Sequence, residues 1–180
     1  MREVSRPVAS RPGMSARTIE ELDALSADEA LANLAPLFEG APRFLARLTA
    51  QRPFETWDEL FARAMAIALS MPEAEQIELI DAHPRLGAPP ANVSRMSFVE
   101  QGYETDTGLA ADELGRLNDA YEARFGFRYC VFVAGRPRSE LVPELVARLE
   151  ADKEAERRRA LRDVVAIAMD RQRKFTEGSR

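Results

Sequence analysis

The fold of this chain is most constrained by a stripe of apolar residues between positions 57 and 68. Its members recur at the spacing of one helix face, i, i+3, i+4, i+7, and they are Trp57, Leu60, Phe61, Ala64, Met65 and Ala68. Thr56 and Glu59 stand at the start of the stripe with the spacing of a capping box. Because an amphipathic helix must bury its apolar face against other elements, the pattern predicts a helix that begins at Thr56 and contributes to a core.

Helical signals of this kind recur along most of the chain. Ser26 opens another capping box. Pro42 and Pro72 suit the first turns of two further helices, and Gly126 suits the end of a later one. The one run with β character, residues 129–133, has no partner strand, so we expect an extended buried segment. The sequence therefore predicts an all-α fold, a compact single-domain helical bundle of about eight helices with one short extended segment.

The domain organisation follows from composition along the chain. Residues 1–16 are rich in Arg, Ser, Pro and Gly, so we expect a flexible lead-in without the apolar stretch of a secretory signal. The remaining residues, 17–180, are long enough for one helical domain with its own core. A basic run at residues 157–159 follows several acidic side chains, and we predict that it forms a solvated face.

Charge and cysteine content exclude several classes of protein. The chain has 25 Lys and Arg against 30 Asp and Glu, a formal net charge of −5. An acidic chain without a large basic block is a poor candidate for nucleic-acid binding, and no apolar run approaches the ~18 residues that cross a membrane. Cys130 has no second cysteine to pair with, which suits a reducing compartment. We therefore expect a cytoplasmic protein that binds neither nucleic acid nor membrane.

Residue types also limit the chemistry. One histidine and one cysteine cannot build a His/Cys zinc site, and no phosphate-binding glycine loop is present. A Ser-His-Asp triad stays open, although no nucleophile-elbow sequence occurs. Cys130 lies in an apolar run, where a thiol usually packs as an inert side chain. What remains is a site without metal or cofactor, built from a histidine, a carboxylate and hydrogen-bond donors.

His83 is the single histidine, and its ordinary pKa of about 6.5 suits proton transfer near neutral pH. Pro84 restricts the backbone of His83, so the preceding helix should end there. Two interpretations are open at this point. His83 can face a pocket and act on a ligand, or it can be an ordinary helix terminus.

A second polar cluster follows the loop after Gly87. Ser97, Glu100 and Gln101 fall at i, i+3 and i+4, which would place a hydroxyl, a carboxylate and an amide on one helical face. Ser-x-x-Glu is also the pattern of a capping box, so a structural role is open as well. Glu100 is the most suggestive carboxylate partner for His83.

Three motifs occur in a fixed order. They are Ala82-His83-Pro84-Arg85-Leu86-Gly87, then Ser97-x-x-Glu100-Gln101, then Leu117-Asn118-x-x-Tyr121-x-x-Arg124-Phe125-Gly126-Phe127. Together they resemble the OHCU decarboxylase family, the 2-oxo-4-hydroxy-4-carboxy-5-ureidoimidazoline decarboxylases of urate degradation. The resemblance covers roughly residues 20–172 and implies an all-α homodimer that converts OHCU to (S)-allantoin without a cofactor.

The resemblance also implies which residues form the site. His83 and Glu100 are the implied catalytic pair, with His83 as the acid/base group. The implied substrate-binding residues are Pro84, Ser97, Gln101, Tyr129, Cys130, Val131, Phe132, Val133 and Arg171. The five consecutive residues among them would contribute backbone contacts, and Arg171 would reach the pocket from the last helix.

The chain departs from the family pattern at two positions. Arg85 stands where the family usually has Asp, and Arg128 stands where Pro is frequent. The positive charge of Arg85 would lower the pKa of His83, whereas the helix C-terminus would raise it. The sequence does not decide between the two.

Two other functions fit the same residues. The chain can be a non-catalytic helical binding module of the same fold, or a decarboxylase or hydrolase that acts on a related ureido compound. The joint presence of His83, Glu100 and Gln101 favours the OHCU decarboxylase, because a scaffold without activity has no need of all three.

Overall fold

A computed structural model of the protein describes residues 18–88, residue 94 and residues 111–177. Within these ranges the chain forms eight α-helices, one 3-10 helix and no β-strand, so the all-α prediction is confirmed. In chain order they are α1 (Ile19–Asp23), α2 (Ala27–Leu34), the 3-10 helix (Ala35–Phe38), α3 (Pro42–Thr49), α4 (Trp57–Ser70), α5 (Glu73–Asp81), α6 (Ala111–Phe125), α7 (Arg138–Arg148) and α8 (Lys153–Glu177).

Helices α2 and α4 begin at the capping residues that the sequence predicts, Ser26 and Thr56. Ser26 and Glu29 form a complete capping box at α2. At α4 the hydroxyl of Thr56 accepts a hydrogen bond from the N–H of Glu59 at 3.1 Å. The reciprocal bond of the predicted box is missing, because the Glu59 carboxylate accepts from the N–H of Glu55 at 2.6 Å instead. At both helix starts, a side-chain hydroxyl thus accepts a hydrogen bond from a backbone N–H that has no partner within the helix.

The long helix α8 organises the core. It packs against α4, α5 and the 3-10 helix. Its buried apolar residues recur at helical spacing and include Leu161, Val164, Val165 and Ala168. The buried members of the α4 stripe are Leu60, Phe61, Ala64 and Ala68. The buried faces of α8 and α4 therefore meet in one core.

Residues 129–133 are neither helix nor strand and, apart from half-buried Phe132, are buried as predicted. The ring of Tyr121 on α6 lies edge-on to Tyr129 at 5.1 Å and to Phe127 at 5.9 Å between centroids. Such edge-to-face pairs stabilise aromatic clusters beyond the area that they bury. They hold the extended segment, residues 129–133, against α6 without a sheet.

The predicted solvated face at residues 157–159 is wrong for two of its three arginines. The side chains of Arg157 and Arg159 are 15% and 13% exposed, whereas Arg158 is 51% exposed. Nε of Arg159 donates to the buried carboxylate of Glu156 at 2.8 Å. The acidic neighbour balances the charge as expected, but it does so inside the protein.

Some predictions concern residues outside the described ranges. The lead-in at residues 1–16, the domain boundaries and the residues Ser97, Glu100 and Gln101 stay predictions. Among the described residues, no helix combines the length and the apolar character that crossing a bilayer requires.

Candidate active site

A cavity of about 410 Å³ opens beside His83. Three parts of the chain line it: the turn after α5, the extended segment and the C-terminal half of α8. The lining residues are His83, Pro84, Leu86, residues 129–135, Ile167, Asp170, Arg171, Arg173 and Lys174. A cavity of this size suits a small-molecule ligand.

His83 lies just past the end of α5, as Pro84 predicts. The N–H of His83 donates to the carbonyl oxygen of Ile80 at 3.1 Å, and the residue is 3% exposed. Its Nδ1 lies 3.3 Å from the carbonyl oxygen of Leu79. Because a carbonyl can only accept, the ring proton belongs on Nδ1, and Nε2 carries the lone pair.

Nε2 of His83 is the ring nitrogen that a ligand can engage. It is buried and makes no hydrogen bond within the part of the chain that the structure describes. A buried acceptor without a partner is destabilising, and such groups often mark functional sites. Because His83 lines the cavity, a ligand bound there can provide that partner.

The charge state of His83 follows from its surroundings. Burial, followed by the positive charge of Arg171, lowers the pKa of His83 from 6.5 to about 4. The carboxylate of Glu39 and the hydrogen bond to Leu79 act in the opposite direction. At neutral pH the imidazole is therefore uncharged, with a proton on Nδ1 and an unprotonated Nε2.

Arg85 pairs elsewhere, although it is close to His83 in sequence. Its guanidinium forms ion pairs with Asp119 at 2.9 Å and Glu122 at 2.5 Å, both on α6. The arginine whose charge lowers the histidine pKa is Arg171 on α8. Burial, rather than the competition between Arg85 and the helix terminus, decides the direction of the shift.

Arg171 is fully buried at the cavity wall. Its Nη1 donates to the carbonyl oxygen of Pro36 at 2.9 Å, and its Nη2 donates to the Glu39 carboxylate at 2.8 Å. Glu39 ends the 3-10 helix with φ +51°, a left-handed conformation that is uncommon for a residue other than glycine. The ion pair fixes a positive and a negative charge near His83.

The turn from His83 to Gly87 is fastened to α6. Nδ2 of Asn118 donates to the carbonyl oxygens of Leu86 at 3.0 Å and Leu114 at 2.9 Å. Gly87 has φ +74°, and a Cβ at this position would lie 2.4 Å from Cδ2 of Leu114. The positive φ favours glycine, and a Cβ would in addition force the Leu114 side chain to shift. The contacts give a physical reason for the His-Pro and Leu-Asn motifs to occur together.

Backbone groups of the extended segment are tied to α8. The carbonyl oxygen of Cys130 accepts from Nη1 of Arg159 at 3.0 Å, and the N–H of Phe132 donates to the Asp163 carboxylate at 3.3 Å. In an extended chain, the polar groups of successive residues point to opposite sides. By that alternation we expect the N–H and C=O of Val131, which lines the cavity, to point to the side opposite these two contacts.

The rim of the cavity carries charges that sequence reasoning missed. Arg173 and Lys174 pair with Asp170 at 3.0 and 2.6 Å, and their side chains are 63% and 55% exposed. With two cations against one carboxylate, this part of the rim is positive and suits an anionic ligand. Helical spacing indicates that the three share a face of α8, but nothing in the sequence shows that the face borders a cavity.

Most of the predicted site residues come together. His83, Pro84, the extended segment and Arg171 line the same cavity. Ser97, Glu100 and Gln101 fall outside the described ranges, so their contribution stays a prediction. Within those ranges, no three His, Cys, Asp or Glu side chains converge as metal ligands would. The expectation of a site without metal or cofactor concerns the whole chain and stays a prediction too.

Comparison with known proteins gives a family match over most of the chain. The family model described as OHCU decarboxylase matches residues 23–173. The uric acid degradation bifunctional protein PucL of Bacillus subtilis is 30% identical over 157 residues, which is 84% of this chain but 31% of that longer protein. The chain thus spans about a third of PucL. The 2-oxo-4-hydroxy-4-carboxy-5-ureidoimidazoline decarboxylase of Haloferax volcanii is 26% identical over 154 residues, 84% of this chain and 91% of that protein.

The fold is also similar to a solved structure. The crystal structure of OHCU decarboxylase in the presence of (S)-allantoin matches with a TM-score of 0.65 and 23% sequence identity. The match covers 79% of this chain and 96% of that chain. At this level of identity the likeness concerns the fold.

Proposed function

The chain belongs to the OHCU decarboxylase family, and on that premise we propose that it is a carboxy-lyase that converts OHCU to (S)-allantoin in urate degradation, without a cofactor. The observation that carries the proposal is the buried, uncharged His83, whose Nε2 has no partner among the described residues and lies at the wall of a small-molecule cavity. The names of the relatives support the proposal, since the Haloferax volcanii protein is an OHCU decarboxylase.

The substrate supplies its own electron sink. When the C–C bond to the carboxylate breaks, carbon dioxide leaves and the electron pair stays on a ring carbon. The neighbouring C=N bond of the imidazoline ring can delocalise this pair onto nitrogen. Since no pyridoxal or thiamine group is needed for such a step, the protein has to orient the carboxylate out of the ring plane and control the protons.

His83 can carry out the proton transfers that the reaction needs. In its neutral form, Nε2 can take the proton of the ring hydroxyl as that group becomes a carbonyl. The resulting imidazolium can then deliver a proton to one face of the carbon that bears the ureido group. His83 takes up one proton and returns one, so it ends as it began. The ring nitrogen that received the electron pair takes one further proton from water, and this proton balances the loss of carbon dioxide from the carboxylate. Positioned acid/base groups of this kind contribute roughly 10²–10⁴-fold in rate.

Binding of the substrate would use the rest of the cavity. The positive rim at Arg173 and Lys174 suits the carboxylate of an incoming anion. The N–H and C=O of Val131 match an amide edge of the ring, which also offers one donor and one acceptor. Ser97, Glu100 and Gln101 are proposed to hold the hydroxyl and ureido groups, on the strength of the family resemblance.

An assay that forms OHCU in place from urate tests the proposal. Circular dichroism follows the appearance of (S)-allantoin with and without the protein. Because OHCU also decays spontaneously to racemic allantoin, an enzyme must give both a faster reaction and a growing signal of one sign. A rate and a signal equal to those without protein would contradict the proposal.

The same assay, together with a calorimetric measurement of (S)-allantoin binding, distinguishes the two alternative functions. A binding module of this fold would bind (S)-allantoin in a calorimeter and leave the decay of OHCU unchanged. An enzyme for a related ureido compound would leave OHCU unchanged and consume that compound instead. The buried Nε2 of His83 has no partner among the described residues and lies at the cavity wall, where it can exchange a proton with a ligand, and this favours catalysis over binding alone.

The homodimer and the cytoplasmic location are also proposals. The resemblance to the family supports the homodimer, and the exposed Met169 beside half-buried Trp57 provides apolar surface that an interface could cover. Light scattering at several protein concentrations would report the mass, and a monomer at all of them would contradict the dimer. Cys130 is the single cysteine of the sequence, and a chain that cannot form an internal disulfide suits a reducing compartment.

A further inference from the structure

Arg128 connects the two halves of the candidate site. It directly precedes the extended segment, and its N–H donates to the carboxylate of Asp81 at 2.8 Å. Its guanidinium Nη1 donates to the carbonyl oxygen of Asp81 at 2.6 Å and to that of His83 at 3.2 Å. One residue thus contacts the end of α5 through both its backbone and its side chain.

These contacts meet a need that arises at every helix end. The last carbonyl groups of a helix have no partner within the helix, and the C-terminus carries a partial negative charge. A guanidinium satisfies both requirements, because it supplies several donors and a positive charge. Arg128 therefore does at the end of α5 what a capping residue does, but from a distant part of the chain.

We propose that Arg128 is a positioning residue that holds His83 at a fixed place relative to the extended segment. His83 is then fastened at three points: its Nδ1 by Leu79, its N–H by Ile80 and its carbonyl oxygen by Arg128. Two of these bonds stay within α5 and its end. The bond from Arg128 ties His83 to the residue that directly precedes the extended segment, which lines the same cavity.

The consequence for catalysis rests on the proposed function. Proton transfer needs Nε2 within hydrogen-bond reach of the ligand, and a displacement of about 1 Å can lower a rate on the order of 10²-fold. Loss of the Arg128 bonds would let the end of α5 move against the extended segment. The expected effect falls mainly on kcat, because the groups that bind the ligand stay in place.

The single histidine allows a direct test. A ¹H–¹³C spectrum of the full chain contains one imidazole Cε1–H signal, that of His83. In Arg128→Gln we expect this signal to shift and broaden, and kcat for OHCU to fall by about 10-fold or more with a smaller change in KM. Arg128→Lys keeps the charge and one donor, so it should recover part of both the signal and kcat.

Arg158→Gln is the matched control. It removes the same side chain from an exposed position on α8, where the guanidinium pairs with Glu154 at 2.9 Å. This variant should retain the imidazole signal and kcat of the wild type. Far-ultraviolet circular dichroism checks that each variant is folded. If Arg128→Gln does not fold, the imidazole signal and kcat of Arg128→Lys are compared with those of the wild type instead, and this comparison tests the positioning role.

The outcomes separate this proposal from the proposed function. An unchanged imidazole signal in the folded Arg128 variant overturns the positioning role, whatever happens to kcat. A changed signal with an unchanged kcat overturns it too, since the contact would then be structural only. If the wild type does not accelerate OHCU decarboxylation, the proposed function fails, and the imidazole signal alone decides whether Arg128 positions His83.

Discussion

The carbonyl oxygen of Leu79 accepts a hydrogen bond from Nδ1–H of His83, with 3.3 Å between nitrogen and oxygen. Leu79 lies one helical turn before His83, so the bond is made by the end of α5 itself. It determines the tautomer of the only histidine in the chain and leaves Nε2 as the basic nitrogen. The acid/base chemistry proposed for this site depends on that relationship.

Nitrogen-15 NMR of labelled protein should show this tautomer directly. We expect Nδ1 to be protonated and Nε2 unprotonated at pH 7, and the ring to titrate with a pKa of about 4 because burial and Arg171 disfavour its charge. An ordinary pKa near 6.5, or a proton on Nε2 at pH 7, would contradict the assignment.

The stability of the fold should depend on pH through the same residue. The unfolded chain binds a proton at His83 below a pH of about 6.5, whereas the folded protein does so only near a pKa of about 4. Between these values the unfolded state holds more protons, so the free energy of unfolding falls as the pH falls. The full shift corresponds to about 3 kcal/mol.

Urea unfolding of the wild type and of His83→Gln between pH 7 and pH 4 measures this contribution. The wild type should lose more stability over that range than the variant. Burial raises the pKa values of the Asp81 and Asp163 carboxyl groups. Their contribution has the opposite sign and is common to both proteins, so the difference isolates the histidine. Equal losses would show that His83 is not held neutral.

Asp163 should matter for ligand binding without touching the ligand. Asp163→Ala removes the acceptor for the N–H of Phe132, and leaving that group without a partner costs about 1–3 kcal/mol. We expect weaker binding of (S)-allantoin by calorimetry, because the backbone of Val131 is then less well placed. Asp163→Asn keeps an acceptor oxygen and should lose less.

Asp119→Ala is a suitable control for that experiment. Asp119 is 69% exposed and pairs with Arg85, and it is not among the residues that line the cavity. Its variant should bind (S)-allantoin as the wild type does. Wild-type affinity in Asp163→Ala would show that the contact with Phe132 does not shape the binding site.

A side chain at Gly87 should destabilise the fold. In Gly87→Ala the new Cβ meets Leu114 at 2.4 Å, and φ +74° is itself unfavourable for alanine. Strain and overpacking of this kind cost about 1–3 kcal/mol each, which thermal unfolding would detect. Gly115→Ala is the paired control, because a Cβ there meets no atom within 4 Å and alanine favours the helix. Equal stability of the two variants would contradict the assigned role of Gly87.

Local signals in the sequence predicted much of the fold. Thr56 and Ser26 mark helix starts because their side chains satisfy N–H groups only a few residues away. Pro84 places His83 beyond a helix end for a similarly local reason. The extended segment was predictable because a single β-like run in a helical chain has no strand to pair with.

The electrostatics of the site were not predictable, because they depend on residues distant in the chain. Arg171 and Glu39 form their ion pair across 132 positions. Arg85 is next to the His-Pro pair in sequence, yet its partners lie on α6. The burial of Arg159 had no local signal either, since a run of arginines after acidic residues looks the same on a surface and in a core.

Replacement of His83 by glutamine tests the central claim most directly. His83→Gln keeps a hydrogen-bonding side chain of similar size but cannot accept and return a proton at neutral pH. With OHCU formed in place from urate, circular dichroism at pH 7 should show rapid formation of (S)-allantoin by the wild type. The folded variant should give no more than the slow, racemic decay seen without protein. Formation of (S)-allantoin by His83→Gln at the wild-type rate would contradict the account.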